Sequence, residues 1–74
     1  MTSKEFKSIF KEGICFQSSN EFIRLGQAIS VTLTRHYPEI ANEILATEYD
    51  FFYKDENLIN FILKYVKEDK IDNA

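Results

Sequence analysis

Cys15 and His36 are the single cysteine and the single histidine of the chain. A nucleophilic thiol would need a base or cation beside it to lower its pKa, and no spacing pattern brings these two together. Cys15 lies between Ile14 and Phe16, which predicts a small buried hydrophobe. One cysteine rules out a disulfide within the chain, and one Cys with one His argues against a dedicated zinc site. His36 follows Arg35 at an expected helix C-terminus, where the helix dipole favours positive charge. Glu48, Asp50, Asp55 and Glu56 lack the spacing and central glycine of a calcium loop. No second feature makes them an acid/base pair, so they read as solvated acidic surface. Phosphate-loop, dinucleotide, zinc-protease and nucleophile-elbow motifs are absent from the sequence. The expectation is a non-enzymatic protein with no cofactor and no metal.

Two constellations suit binding better than catalysis. Arg24, Arg35 and His36 belong to the second predicted helix, with the two guanidinium groups about three turns apart. They form a possible anion-binding set for a phosphate-bearing metabolite or nucleotide. Tyr49, Phe51, Phe52 and Tyr53 put four aromatics into five residues among carboxylates. Phe51 and Phe52 are expected to point inward, with the hydroxyl ends of Tyr49 and Tyr53 outward. Glu48, Tyr49, Asp50 and Tyr53 then form a partner-binding surface of the aromatic kind that dominates interface energetics.

Charge is divided along the chain. Residues 1–36 carry five Lys/Arg and three Asp/Glu, while residues 37–74 carry four and nine. An acidic second half argues against nucleic-acid binding, which draws on a basic face, and suits a basic protein partner. No window approaches the roughly 18–20 apolar residues of a membrane span. The first residues carry Lys4 and Glu5 without an apolar stretch, so a cytoplasmic location is expected.

The elements that must position these residues are helices. With one Pro and two Gly in 74 residues, the chain predicts an all-α fold, a small bundle of three to four short helices. An irregular aromatic segment is expected at 47–55. The first helix is expected over Ser3 to Glu12, with Phe6, Ile9 and Phe10 on its buried stripe and Gly13 as a left-handed C-terminal cap. Ser18 with Glu21 matches a capping box and opens a second helix to His36, with Phe22, Leu25, Ile29 and Leu33 on one face. Pro38, favoured in a first turn, opens a third helix to Ala46. Segment 47–55 is expected to be a turn or short helix, and Asp55 to cap a last helix over Glu56 to Glu68. Residues 1–68 thus form a single helical domain, and 69–74 a polar tail. At this size a core is marginal and self-association often supplements it, so a homodimer is compatible with the sequence.

Three segments, Leu25-Gly26-Gln27-Ala28-Ile29, His36-Tyr37-Pro38-Glu39 and Thr47-Glu48-Tyr49-Asp50-Phe51-Phe52-Tyr53, resemble small accessory proteins of phages and prophages. The resemblance runs from Asn20 to Glu56 and transfers no site residues. It implies a non-structural phage protein acting in the bacterial cytosol. Small acidic proteins of that type bind and inhibit host or defence proteins. The leading expectation is therefore a binding module that modulates a protein partner through its acidic, aromatic surface. The alternative is a protein that sequesters an anionic small ligand. A third reading makes helices two and three a helix-turn-helix, against which stand Glu39 and Glu43 in a recognition helix that lacks Lys and Arg.

Overall fold

The computed structural model describes residues 1–68, and the expected tail, 69–74, lies outside them. Four α-helices follow in order: α1, Ser3–Ser18; α2, Leu25–His36; α3, Pro38–Ile44; and α4, Asn57–Tyr65. The fold is all-α. Among the described residues the only β pairing is a single parallel bridge between Thr2 and Lys67.

α1 opens at a capping box. The Thr2 hydroxyl accepts from the Glu5 N–H at 3.1 Å, and the Glu5 carboxylate accepts from the Thr2 N–H at 2.7 Å. These bonds satisfy two donors that a helix start leaves orphaned. The helix does not stop at Gly13, and no glycine has a positive φ. Gly13 is buried inside α1 because α2 crosses there: a Cβ on it would stand 2.9 Å from Ile29 Cγ1 and 3.0 Å from Ile29 Cα. The missing side chain serves helix approach rather than a left-handed cap. Cys15, two residues further along the same helix and so about 200° round from the buried Gly13, is exposed rather than buried.

The serines expected to start α2 instead finish α1. Ser18 Oγ and Ser19 Oγ donate to the Cys15 carbonyl at 2.8 and 3.4 Å, and Asn20 Nδ2 donates to the Phe16 carbonyl at 2.9 Å. Short polar side chains can satisfy either helix end, and here they serve the C-terminus. α2 begins only at Leu25, so Phe22 falls in the connection and is 96% exposed rather than part of the buried face. Pro38 occupies the first turn of α3 as expected, and that helix ends at Ile44.

One apolar cluster draws on all four helices and the segment before α4: Phe6, Ile9, Ile29, Leu33, Ile44, Phe51, Leu58 and Phe61. Phe61 is its hub, with ring centroids 6.1 Å from Phe6, 5.1 Å from Phe51 and 4.9 Å from Tyr65. The first and last described segments are tied by backbone bonds, Ser3 N–H to the Lys67 carbonyl at 2.7 Å and Lys67 N–H to the Met1 carbonyl at 3.0 Å.

Candidate interaction surface

Segment 45–56 is irregular, as the sequence suggests, yet it is densely bonded. Asp50 is buried, and its carboxylate accepts from the Ala46 N–H at 2.8 Å and the Phe52 N–H at 3.1 Å. Ala46 has φ 62°, a left-handed conformation that costs a residue with a Cβ about 1–2 kcal/mol. The Asp50 bond to its N–H holds it there. Thr47 Oγ1 donates to the Ile44 carbonyl at 2.6 Å and accepts from the Tyr49 N–H at 3.2 Å. Asn57 and Asn60, from α4, donate to the carbonyls of Asp50 and Glu48. The segment is thereby sutured to α3 on one side and α4 on the other, and Phe51 is driven into the core.

The four residues expected to share one surface are divided by this arrangement. Asp50 is withdrawn from solvent as the segment's hydrogen-bond acceptor. Tyr49 is half-buried edge-on against Tyr65, at 5.8 Å between centroids, with the Lys64 ammonium 4.5 Å above its ring. Glu48 lies beside Tyr49 in a shallow depression with Asn60, Leu63 and Lys64. Tyr53 faces elsewhere and is 73% exposed. Its ring stands edge-on to Phe52 at 4.8 Å. Together with Leu45, which is 63% exposed, these two rings border a groove of ≈ 220 Å³ between α2 and α3. Ser30 and Thr34 of α2, Ala41 and Ile44 of α3, and the buried Asp50 complete its walls, so of the four expected surface residues Asp50 and Tyr53 share this groove. The sequence pattern places Leu45 among the apolar residues of the third helix, expected to reach Ala46, but α3 ends at Ile44. It sits beyond the end of α3 because the chain turns at Ala46.

The expected anion set is also divided. Arg24 precedes α2, donates to Asp55 Oδ1 at 3.0 Å and also donates to the Phe52 carbonyl at 2.6 Å. Arg35 and His36, at the far end of α2, both reach Glu12 of α1, at 3.4 and 3.1 Å. Each of the three side chains thus already faces a carboxylate, and α2 separates Arg24 from the other two. His36 is engaged by Glu12, with Nε2 3.1 Å from the carboxylate. Asp55 caps α2 instead of α4, for its carboxylate accepts from the Gly26 N–H at 3.1 Å. A Cβ on Gly26 would collide with the Phe51 carbonyl and that carboxylate. α4 begins without a side-chain cap and ends at Tyr65.

Among the described residues no group of three or more His, Cys, Asp or Glu is placed to hold a metal ion, and no helix is long and apolar enough to cross a membrane. No protein-family model, curated protein or solved structure matches the chain.

Proposed function

We propose that this protein is a small non-enzymatic binding module whose contact surface for a protein partner is Leu45, Phe52 and Tyr53. The observation that carries the reading is a pair of large, well-exposed side chains, Leu45 and Tyr53, mounted on a segment fixed by Asp50. Solvent-exposed apolar groups lose little conformational freedom on binding when their backbone is already held, which favours affinity. Aromatic anchors beside a groove are the usual carriers of binding energy. The local charge is acidic: Glu39 and Glu43 on α3 and Glu48, Asp55 and Glu56 nearby in sequence outnumber Lys54 and Arg24, the latter paired with Asp55. A basic partner surface would be attracted and its encounter accelerated. The resemblance to phage and prophage accessory proteins extends this reading to a modulator or inhibitor of a host or defence protein in the bacterial cytosol.

The test is affinity capture from bacterial lysate with wild type, Leu45→Ala, Tyr53→Ala and Tyr49→Ala in parallel, followed by titration of any captured protein. The expected result is a partner whose affinity falls about 10- to 100-fold in Leu45→Ala and Tyr53→Ala. Tyr49→Ala should matter less, since Tyr49 packs against Tyr65. Equal affinity for wild type, Leu45→Ala and Tyr53→Ala would reject this surface.

A further inference from the structure

Among the described residues Asp50 is the only buried side chain that carries a formal charge, at 7% exposed. Its carboxylate has two partners, the N–H groups of Ala46 and Phe52, and both are neutral. The ion pairs of the described residues are Arg24 with Asp55 and Arg35 and His36 with Glu12, and none includes Asp50. A charge withdrawn from water without a counter-charge is costly. A cation delivered to it from outside therefore gains more than it would at an open surface. Each oxygen has accepted one donor, and a carboxylate offers about four lone-pair sites, so acceptor capacity remains.

The place of this carboxylate is what gives it a use. It bridges the N–H of Phe52 and that of Ala46, the residue after Leu45, and Leu45, Asp50 and Phe52 all line the groove between α2 and α3. We infer that this groove takes the side chain of one arginine from the protein partner, with its guanidinium at Asp50. The inference rests on the contact surface proposed above and names what that surface reads. At ≈ 220 Å³ the groove is smaller than the roughly 300–1,000 Å³ of small-ligand pockets, which suits a single inserted side chain. Leu45 and Ile44 offer apolar wall to the aliphatic stem, and Phe52 and Tyr53 offer ring faces to the cation. On the α2 wall the Thr34 hydroxyl donates to the Ser30 carbonyl at 2.9 Å, which leaves its lone pairs to accept from the remaining guanidinium N–H groups. A planar, weakly hydrated guanidinium fits a carboxylate between aromatic walls better than an ammonium does. Arg24, which bonds the Phe52 carbonyl, is already paired with Asp55 and does not fill this role.

The probe is N-acetyl-arginine methylamide, titrated into the full chain labelled with nitrogen-15, beside its lysine and citrulline counterparts at equal ionic strength. Saturable shifts are expected at the amides of Ser30, Leu45, Asp50, Phe52 and Tyr53, with a dissociation constant of about 1–20 mM for so small a ligand. Citrulline keeps the shape and loses the charge, so its counterpart should bind at least about tenfold more weakly. The lysine counterpart should fall between them. Asp50 also holds its segment together, so its substitution mixes binding with folding. Ser30→Leu is the deciding variant, because it fills the groove from α2 and leaves the Asp50 bonds in place. It should abolish the shifts while the rest of the amide spectrum is kept. Absence of saturation by the arginine probe, a citrulline or lysine counterpart as good as arginine, or binding indifferent to Ser30→Leu would overturn the proposal. Failure here is separable from failure of the contact surface. A captured partner that needs Leu45 and Tyr53, beside an arginine probe that does not bind, would keep the surface and reject its arginine anchor. A probe that saturates the groove, beside a partner indifferent to Leu45→Ala and Tyr53→Ala, would keep arginine recognition and reject the surface.

Discussion

Asp55 Oδ1 accepts a hydrogen bond from the Gly26 N–H at 3.1 Å across 29 residues of chain, so the start of α2 is capped by the segment that leads into α4. The same oxygen holds Arg24. The contact joins the helix start to the aromatic segment, and Gly26 permits it by having no Cβ in the way. Position of α2 and position of the candidate groove are therefore linked, because Arg24 also donates to the carbonyl of Phe52, which borders the groove.

Asp55→Ala should cost about 1–2 kcal/mol in urea denaturation, the ordinary scale of a lost N-cap. Arg24→Ala should cost less, about 0–1 kcal/mol, because the ion pair is half exposed. Amide exchange locates the effect: Gly26 should lose protection in Asp55→Ala. If protection were lost at the start of α4 and kept at Gly26, the cross-chain cap would be wrong.

Gly13→Ala should destabilise the protein by about 1–2 kcal/mol net. The mutation gains helix propensity of up to about 1 kcal/mol, but it drives a methyl group into Ile29, whose Cα is backbone and cannot rotate away. Gly13→Asn should be worse than Gly13→Ala. A left-handed cap would give the opposite order, since Asn tolerates that conformation, and thermal denaturation of the two variants distinguishes the cases.

The residues concerned explain what the sequence discloses and what it conceals. Helical periodicity finds all four helices, and Pro38 marks the start of α3, because these signals act within one turn of chain. Ser18 with Glu21 reads as a capping box, and Thr2 with Glu5, at the same spacing, is passed over. The bonds form at Thr2 and Glu5. They do not form at Ser18 and Glu21, because Gly13 lets α1 run on until Ser18 closes it. The role of Gly13 depends on Ile29, that of Asp55 on Gly26, and that of Arg35 and His36 on Glu12. All of these are tertiary contacts that no local pattern encodes. The candidate surface is legible in part: Tyr53 is exposed as composition suggests, whereas Asp50 turns inward because the Ala46 and Phe52 N–H groups need an acceptor.

Asp50 and Ala46 should respond in opposite directions. Ala46→Gly relieves the left-handed backbone at φ 62° and should stabilise the protein by about 0.5–1 kcal/mol, after allowing for the greater freedom of glycine in the unfolded chain. Asp50→Ala strips the acceptor from two N–H groups and should cost about 2–3 kcal/mol. It should also lower partner affinity, because Phe52 and Tyr53 lose their fixed backbone. Guanidinium denaturation measures the first two effects. Partner titration at a temperature where Asp50→Ala is still folded measures the third, and undiminished affinity there would show that preorganisation of this segment is immaterial.

The capping box at the start of α1 should make stability depend on acid. The Glu5 carboxyl is held below its ordinary range, first by the Thr2 backbone N–H and then by the Thr2 and Tyr37 hydroxyls. A carboxylate whose folded pKa is depressed contributes stability that is complete above its unfolded pKa and is lost as pH falls through the folded value. Glu5→Gln should therefore flatten the stability profile below about pH 4 and leave its slope at neutral pH unchanged. Tyr37 works at the other end. Burial, with the Glu5 charge second, raises its pKa. The neutral phenol is then favoured in the folded state, so stability is complete below about pH 10 and falls as pH rises through the folded value. Tyr37→Phe should remove that alkaline component. Urea midpoints collected across the pH range for wild type and the two variants test both signs, and an acid limb that persists unchanged in Glu5→Gln would assign it to another carboxylate.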